Sequence, residues 1–117
     1  MTELETQFDE AVMKAVQEGA RLGYSASDYL SKRRVEGPMA LALRLIKDKQ
    51  PSYGLRKLWA MKRLDLSIEA IVWDNPRFQA LFPPKVVERC RGKLEALDYF
   101  KPKRILPPLR KMDWNRR

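Results

Sequence analysis

The chain has 117 residues and a formal net charge of +9, with 24 lysines and arginines against 15 aspartates and glutamates. This length predicts one domain with a single hydrophobic core. The sequence contains no histidine, which excludes histidine-based catalytic triads and most zinc sites.

The first predicted helix begins at Thr2, which is placed to form a capping box with Glu5. Its apolar residues recur at helical spacing, and Gly23 suits its C-terminal end. Helical periodicity continues to residue 100, without the alternation that a half-buried strand requires. Further helices are predicted to begin at Ser25 or Ser27, Pro38, Ser52, Asp65 or Ser67, Asn75-Pro76, and Pro83-Pro84.

The last of these helices carries an apolar stripe that includes Cys90, and its basic residues Arg89, Arg91 and Lys93 are predicted to lie on or near its outer face. The densest group of aromatic side chains is predicted to belong to the core. That group comprises Trp59, Trp73, Phe78 and Phe82.

The pattern changes at Lys101, where prolines interrupt a strongly basic segment. Proline removes a backbone donor and favours an extended residue before it, so residues 101–117 are predicted to form an extended basic tail. The sequence therefore predicts an all-α protein. We expect residues 1–100 to form a single bundle of five to seven short helices, followed by the tail at 101–117.

The sole cysteine cannot form an internal disulfide, which favours a reducing compartment. No apolar run approaches the roughly 18 residues of a membrane span, and the acidic N-terminus is unlike a secretory signal. We therefore expect a cytoplasmic protein that binds no membrane, no metal ion and no cofactor.

Residues 8–100 resemble a family of small helical bacterial proteins of unknown function. The resemblance lies in segments that occur in the order LGYSASDYL, GPMALALRLI, PSYGLRKLW, RLDLSIEAIV, RFQALF and RCRGKLEALDYF. It implies a helical fold and a bacterial cytoplasmic origin, and it implies no activity. The family pattern usually stops near Tyr99 or Phe100, so the basic tail looks like an addition to it.

Charge is distributed unevenly along the chain. Residues 1–20 have a net charge of −4, residues 21–100 of +7 and residues 101–117 of +6. A cationic tail on a cationic body is typical of proteins that bind a polyanion. Trp114, flanked by basic residues, is a candidate for stacking on a base. The predicted nucleic-acid-binding residues are Lys32, Arg33, Arg34, Lys101, Lys103, Arg104, Arg110, Lys111, Trp114, Arg116 and Arg117.

Two other arrangements of the tail remain open. In one, its apolar residues fold back on the domain as a strap while the charges stay solvated. In the other, the tail is an unstructured end that serves solubility. The strap would use Ile105, Leu106, Leu109 and Trp114.

Residues 53–73 have the outline of a helix-turn-helix, with Arg56, Lys57, Lys62 and Arg63 beside the phosphates. The supposed reading helix would expose Glu69 and carries no arginine, asparagine or glutamine for base edges, so ordinary helix packing is favoured. The acids Asp65, Glu69 and Asp74 could bind a divalent ion or act as a carboxylate pair. Helix capping by Asp65, with Glu69 in the first turn, explains them more simply.

The leading hypothesis is a small basic binding protein, not an enzyme, which contacts nucleic-acid phosphates (DNA or RNA) without strong sequence preference. The alternative is a protein-interaction module with no nucleic-acid role. In that case the acidic first helix would meet the basic surface of a second copy, giving a homodimer, or the tail would dock on an acidic protein partner.

Overall fold

The computed structural model describes residues 1–101, which form seven α-helices and a 3₁₀ turn without any strand. This confirms the predicted all-α fold, whereas the rest of the predicted tail, residues 102–117, lies outside the described residues. The 3₁₀ turn, Leu64–Leu66, separates the fourth and fifth helices. The helices are α1 (Glu3–Arg21), α2 (Ser27–Glu36), α3 (Pro38–Lys47), α4 (Tyr53–Ala60), α5 (Ile68–Trp73), α6 (Pro76–Gln79) and α7 (Pro84–Ala96).

Local capping explains where several helices begin. Thr2 and Glu5 form the predicted capping box, since each side chain accepts a hydrogen bond from the other residue's backbone amide, at 3.1 and 2.9 Å. Ser67, not Asp65, caps α5: its hydroxyl accepts from the Ala70 amide at 3.1 Å and donates to the Leu64 carbonyl at 2.7 Å. The prediction of Asp65 as a cap is therefore wrong, because its carboxylate is turned to Arg63.

The core is centred on Phe8 of α1, which is fully buried. Its ring makes edge-to-face contacts with Phe78 and Phe82, at centroid distances of 5.5 and 5.6 Å. Cys90 is buried in the same cluster, as predicted, and this burial raises the pKa of its thiol to about 12. The prediction that Trp59 is a core residue is wrong, because its side chain is 51% exposed.

A buried ion pair joins α5 to α7. Lys93 is 8% exposed, not on the outer face as predicted, and its Nζ lies 3.5 Å from the Glu69 carboxylate, which is also buried. The same Nζ donates to the Leu45 carbonyl of α3 at 2.9 Å. One turn earlier on α7, Arg89 donates to the Lys47 carbonyl at 2.9 Å. Because the last carbonyls of a helix lack intrahelical partners, these two cations complete the C-terminus of α3.

Candidate nucleic-acid interface

The predicted basic cluster at the end of α2 is largely neutralised by the protein's own carboxylates. Lys32 forms an ion pair with Asp28 at 3.0 Å. Arg33 donates hydrogen bonds to both carboxylate oxygens of Asp9, and the distance from Arg33 Nε to Asp9 Oδ1 is 2.9 Å. Asp9 is a mostly buried residue of α1. Arg34 is exposed and forms no ion pair within residues 1–101. Only one cation of this cluster is therefore available to a polyanion without breaking an internal pair.

Two of the five acids of α1, Asp9 and Glu18, form ion pairs with arginines of the same chain. Glu18 contacts both Arg21 and Arg63, and the hydrogen bond from Arg21 lowers the pKa of Glu18 to about 2. Asp9 holds Arg33, and Glu5 completes the capping box. Asp9 and Glu18 thus link α1 to Arg33 and Arg63, whereas Glu3 and Glu10 are exposed and form no ion pair within residues 1–101.

The longest stretch without an acid, residues 49–64, includes α4 and its C-terminal turn. The exposed side chains of this stretch include Arg56, Lys57, Trp59 and Lys62, and we name these four the α4 surface. The three cations among them form no ion pair with any carboxylate of residues 1–101. Arg56 and Trp59 are three residues apart and so share one side of the helix. The sequence favoured a buried tryptophan here, but α4 turns only Leu55 and Leu58 into the core.

A basic groove of about 860 Å³ is lined by residues of α7, by the segment before α4 and by one residue of α4. The acidic residue of the groove lining, Glu88, forms an ion pair with Arg91. Lys49 and Lys85 form no ion pair with the described carboxylates. Leu55 of α4 lines the groove, and Trp59 is one helical turn further along the same side. The groove is lined by Lys49, Pro51, Leu55, Lys85, Arg89 and Lys93, among others.

The remaining predicted site residues divide between the described part of the chain and the rest. Lys101 is exposed and lies 3.5 Å from Asp98. The other predicted tail residues lie outside the described residues and stay predictions. They are Lys103, Arg104, Arg110, Lys111, Trp114, Arg116 and Arg117.

The structure does not bring the three candidate acids together as one site. Glu69 is buried against Lys93, whereas the sequence predicted that it would be exposed on the supposed reading helix, and burial raises the pKa of its carboxyl. Asp65 pairs with Arg63, and Asp74 accepts a hydrogen bond from the Tyr99 hydroxyl. Within residues 1–101, no group of three or more acidic or cysteine side chains could hold a metal ion.

Comparison with known proteins found no matching family model, curated protein or solved structure. The resemblance to small helical bacterial proteins therefore stays a prediction. In the described part of the chain, no helix combines the length and the apolar character needed to cross a membrane.

Proposed function

We propose that this protein binds single-stranded nucleic acid with little sequence preference, and that it acts as a binder and not as an enzyme. The observation that carries the proposal is Trp59, a half-exposed tryptophan among cations that form no ion pair with a carboxylate of residues 1–101. Every base has a stacking face, so an exposed indole contributes about 1–3 kcal/mol per base regardless of sequence. We include a bacterial cytoplasmic location in the same proposal.

The charged residues also support the proposed binding of single-stranded nucleic acid. Lys49 and Lys85 of the basic groove add two further exposed cations that form no ion pair within residues 1–101. Lysine and arginine side chains without internal partners can neutralise phosphates without first breaking an ion pair. The basic residues at 103–117 would add to the same attraction by their charge alone.

The proposal predicts that a labelled oligothymidylate of about 16 nucleotides binds with a Kd of about 1–100 µM at physiological salt, measured by fluorescence anisotropy. Affinity should fall as salt rises, with a log–log slope of about −0.7 per phosphate neutralised on a single strand. A duplex of equal length should bind more weakly, because its bases are stacked on each other and unavailable to Trp59. No binding at low salt, or tighter binding of the duplex, would contradict the proposal.

The variant Trp59→Ala separates stacking from charge. It should weaken single-strand binding by about 10–100-fold, corresponding to the loss of about 1–3 kcal/mol of stacking, and leave duplex binding almost unchanged. Trp59→Phe, which keeps a stacking face, should retain most of the affinity. Because the side chain is half-exposed, neither substitution should affect folding, which circular dichroism would verify.

The alternative, a homodimer or an acidic protein partner, remains a prediction with less support from the described residues. Its homodimer form uses the acids of the first helix, of which Asp9 and Glu18 are held by arginines of the same chain. Glu3 and Glu10 are exposed and form no ion pair within residues 1–101. Its other form uses the tail, which lies mostly outside the described residues.

A further inference from the structure

A pocket of about 280 Å³ lies between α1, α2, α3, α4 and α5, and its lining runs from buried Leu41 to exposed Tyr53 and Asp48. Small-molecule sites begin at about 300 Å³. The volume of this cavity is therefore close to that of a ligand pocket. We call this pocket the core cavity. Its apolar wall includes Val12, Val16, Leu41, Leu58 and Ile68.

Three tyrosines also line the core cavity. The rings of Tyr24 and Tyr53 lie 6.4 Å apart, centroid to centroid, and Tyr29 belongs to the same lining. Gly54 permits this arrangement, because a Cβ at that position would lie 3.1 Å from the Tyr24 hydroxyl oxygen. None of the three hydroxyls has a hydrogen-bond partner within residues 1–101. The neighbouring rings of Tyr24 and Tyr53 can attract an organic cation through the ring quadrupole.

The charges around the core cavity favour the same type of ligand. The lining cations, Lys32 and Arg44, are each held by an acid, Asp28 and Glu36 respectively. Asp48 also lines the cavity and is exposed. Among the described residues its carboxylate accepts the Gln50 amide hydrogen, at 3.1 Å, and interacts electrostatically with Arg44. Glu69, which lines the cavity too, is paired with Lys93. At the polar edge, the carboxylates of Asp28, Glu36 and Asp48 therefore outnumber the two cations. An anion would meet no unpaired cation there, whereas an ammonium group would meet Asp48.

We propose that the core cavity binds a small organic ammonium ion with an apolar body. The apolar body lies against the aliphatic wall, and the ammonium group lies among the tyrosine rings and toward Asp48. This site is separate from the α4 surface, so the inference does not rest on the proposed nucleic-acid function.

Three molecules that share one skeleton test the proposal: phenethylammonium, the neutral 2-phenylethanol and the anionic phenylacetate. Titrations monitored by NMR chemical shifts should give a Kd of about 0.1–1 mM for the ammonium, a common range for ligands of this size. The alcohol should bind at least about 10-fold more weakly, and the carboxylate should not bind. The shifts should be confined to resonances of the cavity wall, such as the methyl groups of Val12 and Ile68.

Asp48→Asn supplies a variant that is safe for folding, since Asp48 is exposed. It should weaken phenethylammonium binding by about 5–10-fold and leave 2-phenylethanol unaffected. The matched control, Glu10→Gln, removes an exposed acid of α1 outside the cavity and should change neither affinity. Absence of ammonium binding, equal affinity for all three molecules, or equal effects of the two variants would each overturn the proposal.

Discussion

Lys93→Met should lower the free energy of unfolding by about 3–5 kcal/mol, the usual cost of removing one partner from a buried ion pair. The substitution leaves Glu69 buried without its cation and the Leu45 carbonyl without a donor. Urea denaturation monitored by circular dichroism would measure the loss. The control is Lys101→Met, which removes an exposed pair with Asp98 and should cost no more than about 1 kcal/mol.

The buried pair of Glu69 and Lys93 also predicts how the loss of stability in Lys93→Met depends on pH. Burial raises the pKa of Glu69, so the folded protein without Lys93 holds a proton on this carboxyl more tightly than the unfolded chain does. The unfolded chains titrate alike, so the penalty of Lys93→Met should be constant at low pH, where Glu69 is protonated in both folded proteins. It should grow only as the pH rises above the raised pKa that Glu69 has beside Lys93.

The double substitution Glu69→Leu with Lys93→Met should restore much of the stability, because an apolar pair needs no charge compensation. Some loss should remain, since the Leu45 carbonyl still lacks the donor that Lys93 provided. A single variant as stable as the original chain, or a double variant no more stable than the single, would contradict this role of the pair.

Reversing two charges of the α4 surface should have the largest effect on binding. Arg56→Glu combined with Lys57→Glu replaces two phosphate contacts by two repulsions, and we expect about 100-fold weaker binding of the oligothymidylate at low salt. Both residues are exposed in α4 and neither pairs with an acid of residues 1–101, so the free energy of unfolding should change little.

The matched control for this variant is Arg34→Glu combined with Lys14→Glu. It changes the net charge by the same amount, at two exposed positions outside the α4 surface that likewise have no ion-pair partner among the described residues. Affinity should fall by less than about 5-fold, the effect of net charge alone. Equal losses of affinity in the two variants would mean that the net charge of the protein attracts the polyanion and that the α4 surface has no special role.

The sequence could predict the helices because their signals are local. Thr2 with Glu5, Pro38 and Ser52 each begin a helix as expected, since capping and proline geometry depend on residues a few positions away. The apolar stripe on α7 could likewise be predicted from the sequence. Lys93 belongs to it, three residues after Cys90 and four before Leu97, and this spacing was a signal that it faces inward.

The pairings of the charged residues could not be predicted in this way. Arg33 meets Asp9 across 24 positions of sequence, and Lys93 meets Leu45 across 48. Such partners depend on how helices pack, which local spacing does not determine. The exposure of Trp59 was missed for the same reason, because an indole at the margin of an apolar face is buried only if another element packs over it.

Mapping the oligothymidylate complex by ¹⁵N–¹H NMR tests the central claim most directly. The account predicts that the largest amide shifts within residues 1–101 fall at 53–63, together with a shift of the Trp59 indole N–H. Residues 32–34 should move little, because Lys32 and Arg33 are already held by carboxylates. Largest shifts at α2, or an unmoved indole resonance at saturating oligonucleotide, would contradict it.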